Sequence, residues 1–239
     1  MRSQGEDKML HTKLVVVDGL PGSGKSTTGQ WLKLQLDRNG IAARWLHEAD
    51  VSHSLWWYNH WDGTQYLPPD FDHISMETFI RTSLEKWRNF VTLAGTASEI
   101  NIVESVFFQN AVAIFLMGDV RPTRLMAYAH QVQTIISGLN PVLIYFYQAD
   151  VALALRRICN LRGQDFENEL LMNMERFPYL RRRGLTGLDG VTMLWQEIQK
   201  LTDLLFEEYT IAKLALETSG ENWSSYQQQI LDFLGLPYI

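Results

Sequence analysis

Residues Leu14–Thr28, LVVVDGLPGSGKSTT, pass from a short apolar run through a cluster of glycines into a polar segment. Leu14 to Asp18 is β-branched and apolar on both faces of its pleat, which reads as a strand buried inside a parallel sheet. Gly19 to Ser26 fits the spacing G-x-x-x-x-G-K-[ST], with a strand before it and a helix after it. In such a loop the glycines let main-chain N–H groups turn inward onto phosphate oxygens, with no side chain in the way. The N-terminus of the following helix adds its positive dipole end. Gly19, Pro21, Gly22, Ser23, Gly24, Lys25, Ser26 and Thr27 are therefore expected to surround a nucleoside triphosphate. Lys25 is expected to reach the β and γ phosphates and Ser26 to hold Mg²⁺.

Working outward, Ser26 to Asn39 reads as a helix that stops at Asn39-Gly40. Ala43–Glu48, Ile100–Glu104, Val142–Tyr147 and Lys213–Glu217 read as further strands. Helical spacing covers His73–Thr92, Phe107–Met117, Thr123–Ser137, Val151–Asn160, Glu167–Arg176, Val191–Tyr209 and Ser224–Phe233. Strands alternating with helices make an α/β fold, a parallel sheet covered on both faces. Its site belongs at the carboxyl ends of the strands, so Asp18, Glu48, Glu104 and Tyr147 are the positions to watch. Residues 1–12 read as a flexible tail and residues 13–239 as one domain. Within that domain the segment of about residues 49–92 is an insertion, and about residues 156–184 form a lid.

The chain has 239 residues, of which 46% are hydrophobic and 20% charged, a globular composition. Its longest uncharged apolar stretch, Ser105 to Gly118, runs only 14 residues, short of the roughly 20 that span a bilayer. No partner membrane is expected. Met1 to Lys8 is polar and unlike a secretory leader. The single Cys159 fits a reducing compartment, so the cytoplasm is the expected location. A net charge of −6 argues against a nucleic-acid polymer as partner. The basic residues are unevenly placed, with seven Arg between Arg156 and Arg183 and no Lys between Lys86 and Lys200. Guanidinium groups bind phosphate with two prongs, so this island reads either as a phosphate-facing segment or as a solvated ion-pairing face.

Among the carboxylates, Glu104 ends a buried strand beside the loop, where it would hold a magnesium-bound water or cap the next segment. Glu48 ends the second strand and Asp50 competes with it as a group acting on an acceptor. Asp18, directly before the loop, would approach acceptor or metal, or bind loop amides. Trp45, Trp56, Trp57 and Trp61 lie in an aromatic stretch that reads as a wall of an acceptor pocket or as packed core. No N-K-x-D guanine signature and no L-S-G-G-Q element occurs.

The run Gly19–Thr28 (GLPGSGKSTT), Glu48 at the second strand end, the Glu104-Ser105 pair and the late arginine segment together resemble the P-loop nucleoside and nucleotide kinases. Deoxynucleoside kinases and thymidylate kinases are the families that this pattern is most similar to. The resemblance departs at the third strand, where Glu104-Ser105 stands in place of an E-R-S or a D-R sequence. It implies a P-loop NTPase fold of three layers, with five parallel strands in the order 2-3-1-4-5 and an Arg-rich lid. It also implies Glu48 as base on the acceptor hydroxyl, with the lid closing over ATP. Arg156, Arg157 and Arg162 would then neutralise the transferring phosphoryl group. The expected function is a Mg²⁺- and ATP-dependent phosphotransferase acting on a nucleoside, a nucleotide or a hydroxylated metabolite, with a homodimer left open. The alternative is a regulatory nucleotide-binding protein that has no dedicated acceptor.

Overall fold

The computed structural model describes residues 11–48, 50, 53–55, 76–175 and 177–238. Five strands are all parallel: β1 (Leu14–Gly19), β2 (Ala43–Leu46), β3 (Ile100–Glu104), β4 (Val142–Tyr147) and β5 (Ala212–Glu217). Their order across the sheet is β2-β3-β1-β4-β5, as the resemblance implies. β1, β3 and β4 pair with neighbours on both sides, and their near-continuous apolar sequences match burial on both faces.

Alternate residues of each strand feed two separate cores. Val15, Val17, Ile102, Ile144 and Phe146 face one way. There they pack against α1 (Lys25–Arg38), through Leu32 and Leu36, and α9 (Trp223–Leu234), through Ile230 and Leu231. Leu14, Val16, Val103, Leu143 and Tyr145 face the other way, into a larger core. That core is closed by α2 (Met76–Thr96), α3 (Gln109–Met117), α4 (Pro122–Ile136), α5 (Val151–Arg162), α6 (Gln164–Glu175), α7 (Pro178–Arg183) and α8 (Gly187–Glu208). The apolar stretch after Glu104 is thus buried core: Val112, Phe115 and Leu116 of α3 are nearly inaccessible. Among the described residues no helix is long and apolar enough to cross a membrane.

The boundaries shift by a few residues from the sequence expectation. α6 begins at Gln164, where Gly163 has a positive φ of 87° and separates it from α5. α7 was hidden by its arginines: the short segment PYLRRR forms a helix with Pro178 in its first turn and Gly184 after it. The tail 1–10, and Trp56, Trp57 and Trp61 within the expected insertion, lie outside the described residues.

Candidate functional site

Parallel strands bring their carboxyl ends together, and the register fixes what meets there. Val17 lies level with Glu104, and Leu46 with Val103, so the glycine loop, the end of β3 and the residues after β2 converge. The loop has the backbone that its glycines permit: Gly19, Gly22 and Gly24 all have positive φ, at 150°, 79° and 93°. A Cβ on Gly19 would come within 2.3 Å of the Phe146 carbonyl oxygen, and one on Gly24 within 2.1 Å of the Trp223 ring. Residue type there is dictated by close approach as well as by dihedral. On the third side, a Cβ on Gly22 would meet Ile158 of α5 at 3.2 Å, so the arginine-bearing helix rests against the loop.

α1 starts directly after Gly24, which as N-cap has no side-chain acceptor for the first-turn amides. The Lys25 side chain is buried and its Nζ donates to the Leu20 carbonyl at 2.9 Å, which folds it back over the loop. Ser23 Oγ is buried without a hydrogen-bond partner.

Glu104 is fully buried, and donors from three elements converge on it. Ser26 Oγ donates to Oε1 at 2.9 Å, the Glu48 backbone N–H to the same oxygen at 3.3 Å, and the Trp45 indole N–H to Oε2 at 3.3 Å. His47 Nε2 lies 3.5 Å from Oε1. A buried carboxylate beside a first-turn hydroxyl, both hard oxygen donors, fits a magnesium site.

The capping role weighed for Glu104 falls to Asp18 instead. Asp18 is fully buried and accepts four main-chain N–H groups: Gly19 at 2.8 Å, Phe107 at 3.1 Å, Phe108 at 2.7 Å and Gln109 at 2.9 Å. It locks the glycine loop to the start of α3. Burial pushes its carboxyl pKa up, while the backbone donors and the Lys25 charge pull the other way. Between these anchors Ser105 turns the chain with a φ of +63°, rare for a residue with a side chain.

Beyond Ser105 lies a small cavity of about 10 Å³, room for one water, lined by Leu55, Phe79, Ser83, Val106, Asn110 and Tyr128. Ser83 and Tyr128 share a hydrogen bond of 2.6 Å inside it, and burial drives the Tyr128 hydroxyl up to about 12. Ser105 Oγ, Gln109 Oε1 and Asn110 Nδ2 are buried without partners. Sequence reading missed Ser83, Asn110 and Tyr128. The available signal was Ser83 itself, a polar residue on the otherwise apolar face formed by Phe79, Ile80, Leu84 and Trp87.

His53 sits nearby, 3% exposed, with Nδ1 accepting the Leu55 N–H at 3.1 Å. Burial lowers its pKa to about 4, helped by the charges of Arg44 and His47 and opposed by Asp50. The unfolded chain would titrate it near 6.5. Its contribution is therefore complete above about pH 6.5 and is lost as pH falls toward 4, because only the unfolded state takes up the proton. Stability at pH 5 should be about 2 kcal/mol lower than at pH 7 from this group alone. Denaturant titrations of the parent and His53→Gln at both pH values check it, since the substitution should remove that part of the slope.

The arginines divide. Arg156, Arg157 and Arg162 are all on α5 and all exposed. Arg157 donates to the Ser219 carbonyl at 2.7 Å and lies 3.7 Å from Glu221, so it holds α5 to the loop after β5. The Arg162 guanidinium stacks 4.9 Å from the Phe166 ring centroid. Arg182 and Arg183, at the end of α7, both bond Asp119, at 2.7 and 2.8 Å, so these two arginines of the island are ion-pairing residues. Trp45 also departs from the aromatic-wall reading, because its ring faces α1 and Glu104.

No family model matches the chain. Among curated proteins it is similar to the thymidylate kinase of Francisella philomiragia subsp. philomiragia, 26% identical over 160 residues that cover 64% of this chain and 74% of the relative. The thymidylate kinase of Francisella tularensis subsp. novicida is 24% identical over 162 residues, covering 65% and 74%. Among solved structures, the thymidylate kinase from Candida albicans superposes with a TM-score of 0.50 at 9% identity, covering 93% of this chain and 92% of that one.

Proposed function

We propose that this chain, a P-loop protein of the nucleoside and nucleotide kinase type, is an ATP-dependent small-molecule kinase that moves the γ-phosphoryl group to an acceptor bound at the carboxyl ends of the strands. The observation that carries the reading is the meeting of a glycine cradle, a buried lysine and the Ser26–Glu104 pair at one point on the sheet. Main-chain N–H groups between Gly22 and Thr27 would bind phosphate oxygens, since Pro21 has none and Gly19 gives its own to Asp18, and Lys25 would exchange the Leu20 carbonyl for them. Ser26 and Glu104 would hold Mg²⁺, which when bound neutralises charge on the phosphate oxygens.

Glu48 follows β2, with its backbone tied to Glu104, and would orient or deprotonate the acceptor. Arg156 and Arg162 would close over the transferred group, Arg162 leaving Phe166 to do so, with Arg157 anchoring the lid helix. Phosphoryl transfer of this kind needs positioning and charge neutralisation more than covalent chemistry. Ser105 Oγ and Asn110 Nδ2, buried without partners just past β3, would bond polar substituents of an acceptor if that region opens to admit it. The relatives named as thymidylate kinases support a nucleotide or nucleoside acceptor over an unrelated metabolite.

The test is ADP release from Mg-ATP with and without thymidylate, nucleosides and small hydroxylated compounds. A kinase should show ADP release stimulated by at least one of these and label from the γ-phosphate recovered on it. Tight ATP binding with turnover indifferent to every acceptor would favour a regulatory ATPase instead.

A further inference from the structure

We infer that Trp45 is a positioning residue for the Glu104 carboxylate and that Gly29 exists to seat it; the inference rests on Glu104 being the metal-side carboxylate. Glu104 has no exposure to solvent, so the plane of its carboxylate is set by protein donors alone. Ser26 and Glu48 both donate to Oε1, and the Trp45 indole N–H donates to Oε2. With that N–H removed, the carboxylate would be free to rotate about its last bond and to turn away from Ser26. Donors placed behind a ligating carboxylate commonly orient it in this way.

The indole packs against the core beneath α1, and two further neighbours fix its position. Its ring meets His47 edge to face, with centroids 5.3 Å apart and planes at 86°. On the other side lies Gly29, in the interior of α1, where glycine weakens a helix relative to alanine. A Cβ at position 29 would come 2.5 Å from Nε1 and 2.9 Å from Cδ1 of Trp45, closer than atoms can pack. Gly29 is therefore required for the indole to reach Glu104, which explains a residue that the helix alone disfavours.

The test uses the full chain carrying Trp45→Phe, which keeps a ring and removes the N–H, and separately Gly29→Ala, which keeps the N–H and displaces it. Each should raise the Mg²⁺ concentration that half-saturates turnover by about 10–100-fold, with little change in kcat at saturating Mg²⁺. A second readout needs no turnover. In metal-free protein labelled with ¹⁵N-tryptophan, the indole N–H resonance missing from Trp45→Phe should shift in Glu104→Gln and in Gly29→Ala. A parental Mg²⁺ dependence in Trp45→Phe, even with a lower melting temperature, would show a packing residue and overturn the inference. If the variants do not fold, the indole resonance is assigned to Trp45 in the parent through its own backbone signals, and its failure to move in Glu104→Gln overturns the inference equally. Glu104→Gln separates the levels. If it leaves the Mg²⁺ dependence unaltered, the metal-side reading itself fails; if it shifts that dependence while Trp45→Phe does not, only the role of Trp45 fails.

Discussion

Replacing Lys25 by Ala should lower kcat/KM for ATP by about 10²–10³-fold, the scale on which losing one preorganised donor at a developing charge is felt. The side chain is buried over the loop, within reach of the amides that would take the phosphates, and its Nζ donates to the Leu20 carbonyl. The folded protein loses a charged hydrogen bond, about 1.5–3 kcal/mol, and the attraction between Lys25 and buried Asp18. The melting temperature should fall by only several degrees. Lys25→Met, which keeps most of the apolar stem, should recover stability and no activity. Steady-state kinetics with thermal melts separates charge from packing. Parental turnover in either variant would remove Lys25 from the mechanism.

The largest effect on stability is expected at Asp18. Asp18→Ala leaves four main-chain N–H groups at the junction of β1 and α3 without their acceptor. An orphaned buried donor costs about 1–3 kcal/mol, and some of the four would recruit water. A net loss of about 3–5 kcal/mol is expected, comparable to breaking a buried charged network. For a chain of this size that corresponds to a fall of about 10 °C in melting temperature. Asp18→Asn keeps one acceptor oxygen but sets an amide NH₂ against donors, so it should fall between parent and Ala. Chemical denaturation of both variants measures this. A loss under about 1 kcal/mol for Asp18→Ala, the range of ordinary surface changes, would contradict the anchoring role.

The sheet was legible because its signals are local. LVVVD, INIVE and VLIYFY are short apolar runs bounded by turn residues, and each is a strand. The glycine loop was equally legible, since its spacing encodes backbone geometry directly. The identity of partners across the site was not. Which carboxylate caps α3 depends on the register of β1 against β3, pairing residues almost ninety positions apart, and no window of sequence contains it. Asp18, which reads as a residue binding loop amides or approaching acceptor or metal, also takes the N–H groups at the start of α3 for that reason, while Glu104 lies beside Ser26. Trp45 looked like part of the aromatic stretch that follows it, yet it lies on β2 and its ring takes the space left by Gly29. The arginine island was visible as a charge pattern, but helical phase and the neighbouring Ser219, Glu221 and Asp119 decide where each guanidinium goes.

Binding of a nucleoside triphosphate at the loop is the claim on which the assignment stands. Titrating the parent protein calorimetrically with ATP in the presence of Mg²⁺ should give saturable binding of one nucleotide per chain, weakened strongly in Lys25→Ala. Absence of saturable heat with ATP or any other purine triphosphate, in protein shown to be folded, would contradict the account.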